Sequence, residues 1–292
     1  MRKLEEYNPI VIFVYFLIVT GFAMFIMDPV ILGLSLLGSL TLFFMIDGFH
    51  GAASHITALV FFVVMAIVNP LFNHNGVTIL FFLNNNPITL EALMYGVFAA
   101  AMIIGILYRL RTFTLIMTAD KLLYIFGRFS PKMSLILSMA LRYVPLMRTQ
   151  TDKVRRTQKA LGIYRGDNIA DTLKGEMRIF SIMATWSLEN GIITADSMAA
   201  RGYGEHRRTS FSLFKFTKGD ALFLILCIIP TAVVIWALAA GEAGFEYYPA
   251  MSGIKNSALA LSCYISYGFL SFLPVILEWK EELRWKYLMS KI

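Results

Sequence analysis

Long apolar runs separated by short polar breaks set the layout of this chain. Six runs approach the roughly 17–25 residues that an α-helix needs to cross a hydrocarbon core: Ile10–Met27, Val30–Ile46, Ile56–Phe72, Leu90–Tyr108, Ala221–Ala240 and Ala258–Leu277. Asp28-Pro29 predicts a tight hairpin between the first two, because proline cannot continue a helix ladder. Pro230 and Pro274 are candidate kinks in runs five and six. Gly96, Ala100, Ala101 and Gly105 give run four a ladder of small residues. Either that face lets another helix approach closely, or alanine is merely common in such segments.

Between runs three and four lies NHNGVTILFFLNNNP, Asn73–Pro87. Turn residues bracket a seven-residue apolar run, Val77–Leu83, which is too short to span and reads as a short strand or a dipping segment. The stretch between runs four and five differs in kind. Ser130-Pro131 predicts an N-cap and first helical position. MSLILSMALRYVPLM, Met133–Met147, is apolar but carries Arg142, and it either dips into the membrane interface or packs beneath the spans. After Pro145 charges lie on all sides, as on a solvated or partner-covered helix. A second helix is predicted over about Ile169–Arg201. At about 100° per residue, Arg178, Thr185, Glu189 and Asp196 fall near one line, with Ile179, Ile182, Met183, Trp186 and Ile193 on an adjoining stripe. Gly191 is a candidate bend. Gly202 suits the left-handed residue after a helix end, which makes Arg201 a last-turn residue near the negative end of the helix dipole.

Composition agrees with a membrane protein: 58% of the 292 residues are hydrophobic and 15% charged, where soluble domains carry about a quarter charged. Mean hydropathy is +0.66. Cys227 and Cys263 lie in apolar runs, so packing roles are expected rather than a disulfide framework or a zinc site. Arg2 and Lys3 precede the first run, but it exceeds a signal-peptide core and no small-x-small cleavage pattern follows, so it reads as a retained span. Charge is concentrated between Arg109 and Lys218, with 19 Lys and Arg against 8 Asp and Glu, a net +11. The remainder has 7 against 11, a net −4. Cytoplasmic segments attract Lys and Arg. Arg109 and Arg111 beside run four, Lys215 and Lys218 beside run five, and the basic residues near both ends all point inward. Six spans with cytoplasmic N- and C-termini satisfy them together.

Several chemistries fail on spacing. GYGEHR at Gly202 lacks the third glycine of a dinucleotide motif and ends a helix instead of opening one. There is no G-x-x-x-x-G-K-[ST] for a phosphate loop and no H-E-x-x-H. DGFHGAASH clusters Asp47, His50 and His55, but histidines five apart point about 140° away from each other on a helix. The start of that stretch resembles a phosphatidyltransferase signature without its later residues. An intramembrane enzyme built on these three residues remains a rival reading, as does a self-sufficient secondary transporter. The latter tends to carry mid-membrane ionisable groups and inverted repeats, whereas Asp28, Asp47 and Glu91 sit at span ends. The basic block has no recognised nucleic-acid module, so no nucleic-acid partner is expected. Attraction to the lipid bilayer's anionic headgroups is one reading of that block. A protein with an acidic groove is another: Ala199 and Ala200 admit a close partner, and Arg201 presents a planar fork that pairs with a carboxylate. The plainer reading of Arg201 is an arginine that caps its own helix carbonyls.

ITADSMAARGYG, Ile193–Gly204, resembles the second Ala-Arg-Gly motif of the transmembrane (T) component of energy-coupling-factor transporters. The resemblance extends to NPIVIFVYFL near the start, NHNGVTILFFLNNNPITLEAL at 73–93, DKLLYIFGRFSPKMSLILSMALRYVP at 120–145 and SIMATWSLENGIITADSM at 181–198. It implies a non-catalytic scaffold of a prokaryotic importer for vitamins or metal ions. Such a scaffold joins two cytoplasmic ABC-type ATPase subunits to a substrate-binding membrane S component. It holds no cofactor itself, MgATP being bound by the ATPases. Two coupling helices, each ending in Ala-Arg-Gly, dock on the ATPases and pass their motion to the S component. The second motif is intact at Ala199, Ala200, Arg201 and Gly202. The first falls near Thr157–Gly166, where Ala160-Leu161-Gly162 has leucine in place of arginine, and where Lys159 or Arg165 is the nearest cation. Apolar docking at that end would fit two non-identical ATPases.

The expected architecture is an all-α polytopic membrane protein with about six transmembrane helices and a helical cytoplasmic coupling region between spans four and five. Its divisions are a four-span bundle at 1–108, the coupling region at 109–220, and the last spans with a cytoplasmic tail at 221–292. The expected location is the prokaryotic plasma membrane.

Overall fold

The structure, a computed structural model of the chain, describes residues 4–48, 52–83, 86–163, 169–204 and 214–290. The chain folds as two compact units, residues 1–122 with 214–292, and residues 123–213.

The first unit holds α1 (Pro9–Phe25), α2 (Pro29–Asp47), α3 (Ala52–Phe72), α4 (Leu90–Ile116), α8 (Lys218–Ala239) and α9 (Ala258–Met289). Of these, α2, α3, α4, α8 and α9 are long and apolar enough to cross a membrane. The sixth, α1, is an apolar helix of 17 residues, at the lower end of the spanning range. This is a polytopic, mainly α-helical membrane protein. Helix starts follow local chemistry. Asn8 and Asp28 accept from the amides of Ile10 (3.1 Å) and Val30 (2.9 Å), each followed by proline at the first helical position. Asp28 is buried and also accepts from the Tyr264 hydroxyl of α9 at 2.9 Å. At the start of α8, Asp220 accepts from the amide and hydroxyl of Thr217, each at 2.7 Å, and from the Asn8 amide at 2.9 Å. That carboxylate ties the beginning of α8 to the beginning of α1.

Helix α4 is central, packing on α1, α2 and α3, while α9 packs on α2 and α8. The small-residue face of α4 is a packing face on two sides. A Cβ on Gly96 would lie 2.7 Å from the Ala66 carbonyl of α3, and one on Gly105 would lie 3.4 Å from the Leu36 Cα of α2. Ala100 and Ala101 are buried between them. Close approach recurs where α2 meets α9, since a Cβ on Gly38 would fall 2.1 Å from Ser271 Oγ. By contrast α3 packs chiefly on α4 and exposes Leu59, Val60, Val63, Val64 and Ile67. An apolar exposed face of that kind suits lipid. Cys227 and Cys263 are buried free thiols.

The segment before α4 is a strand pair rather than a dipping helix. β1 (Ile79–Leu83) and β2 (Asn86–Thr89) run antiparallel, pairing Phe81 with Ile88 and Phe82 with Pro87. Thr89 ends β2 and caps α4 by accepting from the Ala92 amide, while Glu91 accepts from the Thr78 amide and hydroxyl.

Hydropathy and helix length part company at two ends. Run four stops at Tyr108 by its charges, yet α4 continues to Ile116, and α9 continues to Met289. Backbone hydrogen bonding does not require apolar side chains, so a helix outlasts its membrane stretch. Arg109, read from sequence as the first residue beyond the span, is 3% exposed. Its guanidinium donates to the Ser35 carbonyl and to Ser271 Oγ, both at 3.2 Å. It is a bundle residue, not a surface flank.

Helix α5 (Ala119–Phe129) carries the chain from the first unit into the second, with Lys121 Nζ donating to the last carbonyl of α4, Ile116, at 2.8 Å. The second unit is then a helical hairpin of α6 (Pro131–Ala160) and α7 (Ile169–Ala200). Ser130 stands at the N-cap of α6, but its side chain makes no capping bond. Pro145 lies inside α6 without ending it, so the apolar stretch and the charged stretch are halves of one helix.

Candidate coupling site at the tips of α6 and α7

The end of α7 is a backbone-closed tip. Gly202 adopts φ +72°, its amide donates to Ala199 O (3.0 Å), and the Tyr203 amide reaches back to Met198 O (3.1 Å). This pair of bonds is the Schellman arrangement, which only a residue tolerant of the left-handed region adopts without strain. The Met198 and Ala199 carbonyls are thus met by backbone donors. The Arg201 side chain is exposed and makes no hydrogen bond or ion pair among the described residues, so it does not cap its own helix. Ala199 and Ala200 beside it are exposed as well.

The end of α6 repeats this geometry. Gly162 has φ +70°, its amide donates to Lys159 O (3.0 Å), and the Ile163 amide donates to Gln158 O (3.1 Å). Ala160 therefore superposes in role on Ala200, Leu161 on Arg201 and Gly162 on Gly202. The backbone is conserved in kind between the two tips while the side chain is not: Leu161 is 66% exposed and Ile163 51%. Lys159 and Ala160 are exposed; Arg165 lies outside the described residues.

The hairpin is held by a narrow seam. Gly175, Ile179 and Met183 of α7 are buried, Arg155 pairs with Glu176 at 3.0 Å, and Tyr143 Oη lies 3.4 Å from Thr194 Oγ1. Of the apolar stripe expected on α7, Ile179 and Met183 face inward, Trp186 is half-buried, and Ile182 and Ile193 are exposed. Arg178, Thr185, Glu189 and Asp196 are exposed as their common face predicts. Beyond the seam, Leu173, Met177, Phe180, Leu188 and Ile192 lie on the surface of this unit. Exposed apolar side chains in that number suit contact with a protein or lipid surface. Near the α7 tip the two helices enclose a cleft of about 330 Å³, lined by Ser138, Met139, Arg142 and Tyr143 of α6 and by Ile193, Thr194, Ser197, Met198 and Arg201 of α7. Arg142 had stood out in sequence only as one charge in an apolar run. Its place beside Arg201 depends on the pairing of two helices and has no local signature.

The rival cluster does not converge. His55 Nδ1 lies 2.9 Å from Tyr108 Oη and its ring stacks on that tyrosine, whereas Asp47 Oδ2 lies 4.0 Å from an Arg111 nitrogen. His50 lies outside the described residues.

Among the described residues, five helices long and apolar enough to cross a membrane, the shorter apolar α1 and an inserted helical hairpin define a multi-pass membrane protein. The transmembrane protein EcfT 1 of an energy-coupling factor transporter from Listeria monocytogenes is 28% identical to this chain over 189 residues, covering 61% of this chain and 71% of that one. EcfT of Staphylococcus aureus is 25% identical over 214 residues, 69% of this chain and 77% of its own length. EcfT of Streptococcus equi is 32% identical over 100 residues, 34% of this chain and 37% of that protein. No model of a known protein family matches the chain. The chain is a homologue of the energy-coupling factor transporter transmembrane proteins, as the motif resemblance implied.

Proposed function

We propose that this chain is the scaffold and energy-transducing subunit of an energy-coupling-factor importer in a prokaryotic plasma membrane. In this reading the membrane helices hold a substrate-binding S component. The tips of α6 and α7 dock on two cytoplasmic ABC-type ATPases, and the motion of those ATPases passes through the hairpin into the bundle. The ATPases bind MgATP, and the cargo is a vitamin or another micronutrient. The coupling region is the hairpin unit at residues 123–213, narrower than the 109–220 block marked by charge, and both termini lie in the cytoplasm.

One observation carries the reading. Arg201 stands exposed on a tip closed by backbone bonds to Met198 and Ala199, and it has no partner among the described residues, which leaves its guanidinium available to a carboxylate on another chain. At the matching tip the exposed Leu161 stands in the place of Arg201, which supports docking to two different grooves and hence to two non-identical ATPases. A complex purified with one ATPase type at both tips would count against that asymmetry. Arg201→Glu is expected to suppress both substrate uptake and substrate-stimulated ATP hydrolysis in reconstituted vesicles. Uptake at the wild-type rate by that variant refutes the assignment of Arg201.

A further inference from the structure

The cleft beneath the α7 tip contains a second cation. Arg142 from the middle of α6 and Arg201 from the end of α7 line the same space, and no acidic residue is among those lining it. Neither guanidinium forms an ion pair or hydrogen bond among the described residues, although Arg155 on the same helix α6 pairs with Glu176. The hairpin therefore neutralises one of its cations internally and leaves two others gathered at one cleft. Like charges in one small space repel, and the repulsion falls when an anion sits between them. The other lining groups suit such a guest. Ser138, Ser197 and Thr194 carry hydroxyls that rotate to donate, while Met139, Ile193 and Met198 offer an apolar wall to an aliphatic stem.

We propose that this cleft is a two-arginine receptor for one carboxylate side chain of the ATPase that docks at the α7 tip, with Arg142 and Arg201 gripping the same group. The inference rests on the coupling function proposed above and adds to it a residue and a ligand class. Two planar forks converging on one carboxylate give directional, bidentate contacts that a single exposed arginine does not. Ile193 in the cleft wall, and the exposed Leu188 and Ile192 on the same stretch of α7, favour a protein surface as its source over a small free anion. At the α6 tip Leu161 stands where α7 has Arg201, so the carboxylate proposed here is assigned to the α7 tip.

The test uses the assembled complex, purified through a tag on this chain into nanodiscs of neutral phosphatidylcholine. The readout is the affinity of the ATPase subunits, identified by mass spectrometry and titrated back onto stripped complexes. Arg142 is exposed and outside the seam, so its substitution leaves the hairpin able to fold. Arg142→Gln is expected to weaken association roughly tenfold or more, as for truncation of one member of a desolvated charge pair. Arg142→Lys should fall between, keeping the charge and losing the fork. The double variant with Arg201→Gln should lose less than the product of the two single losses, because both arginines serve one group. Arg142→Gln with wild-type affinity beside a weakened Arg201→Gln overturns the two-arginine site and leaves the coupling function standing. Wild-type affinity in both variants overturns the coupling assignment as well. A loss on Arg142→Gln that appears only when phosphatidylglycerol is added makes a lipid phosphate the occupant and also overturns the proposal.

Discussion

At the scale of single residues, four positions are decided by what their neighbours leave open. Gly202 and Gly162 hold φ near +70°, where an L side chain costs about 1–2 kcal/mol. Gly202→Ala is therefore expected to loosen the α7 tip without unfolding the hairpin, seen as faster amide exchange confined to the last turn. Gly38 meets Ser271 too closely for any side chain. Gly38→Ala should force α2 and α9 apart and cost about 1–3 kcal/mol, read as a lower melting temperature in detergent, with Ser271→Gly in the same chain restoring part of it. Arg109 is a buried cation that donates to a carbonyl and a hydroxyl through Nη2, with Nη1 left unpartnered among the described residues. A group in that position carries an uncompensated desolvation cost. Arg109→Met, which keeps the stem and removes the charge, is expected to hold or raise the melting temperature, whereas Arg109→Ala should lower it by opening a cavity.

At the scale of elements, periodicity and punctuation identified the pieces, and packing decided their limits. Asp28-Pro29 and Asn8-Pro9 mark helix starts because capping and proline act locally, within a turn. Val77–Leu83 was legible as a strand or a dipping segment but not as one of the two, since a short apolar run fits either until a partner strand is known. Its pairing with Asn86–Thr89 settles the matter. Pro145 separated two textures of sequence without separating two helices, because losing one ladder bond is tolerated in a helix of 30 residues held by a neighbour. The α6–α7 seam makes a modest prediction of its own. The Arg155–Glu176 pair is about two-fifths exposed on each side, so a double-mutant cycle on hairpin stability should return about 0.2–1 kcal/mol.

At the scale of the whole molecule, docking on cytoplasmic ATPases requires the α7 tip to lie on the inner side of the membrane. The native thiols Cys227 and Cys263 are buried, so a single cysteine placed at Arg201 gives a clean accessibility probe. Labelling by a membrane-impermeant maleimide is expected only after the cells are opened. Labelling of intact cells would place the tip outside and remove the basis for docking on cytoplasmic ATPases.

The sequence by itself determined the membrane class, the apolar helices and the glycine-closed tip at Arg201. Each of these follows from hydrophobic runs, local capping or a left-handed glycine, interactions that act within a few residues of one another. Only the tertiary structure decided that Arg109 is interior, that Leu161 occupies a tip of the same backbone geometry as Arg201, and that Arg142 shares a cleft with Arg201. Those facts join residues on separate helices, and the pairing of helices is settled by packing between surfaces that no single stretch of sequence contains.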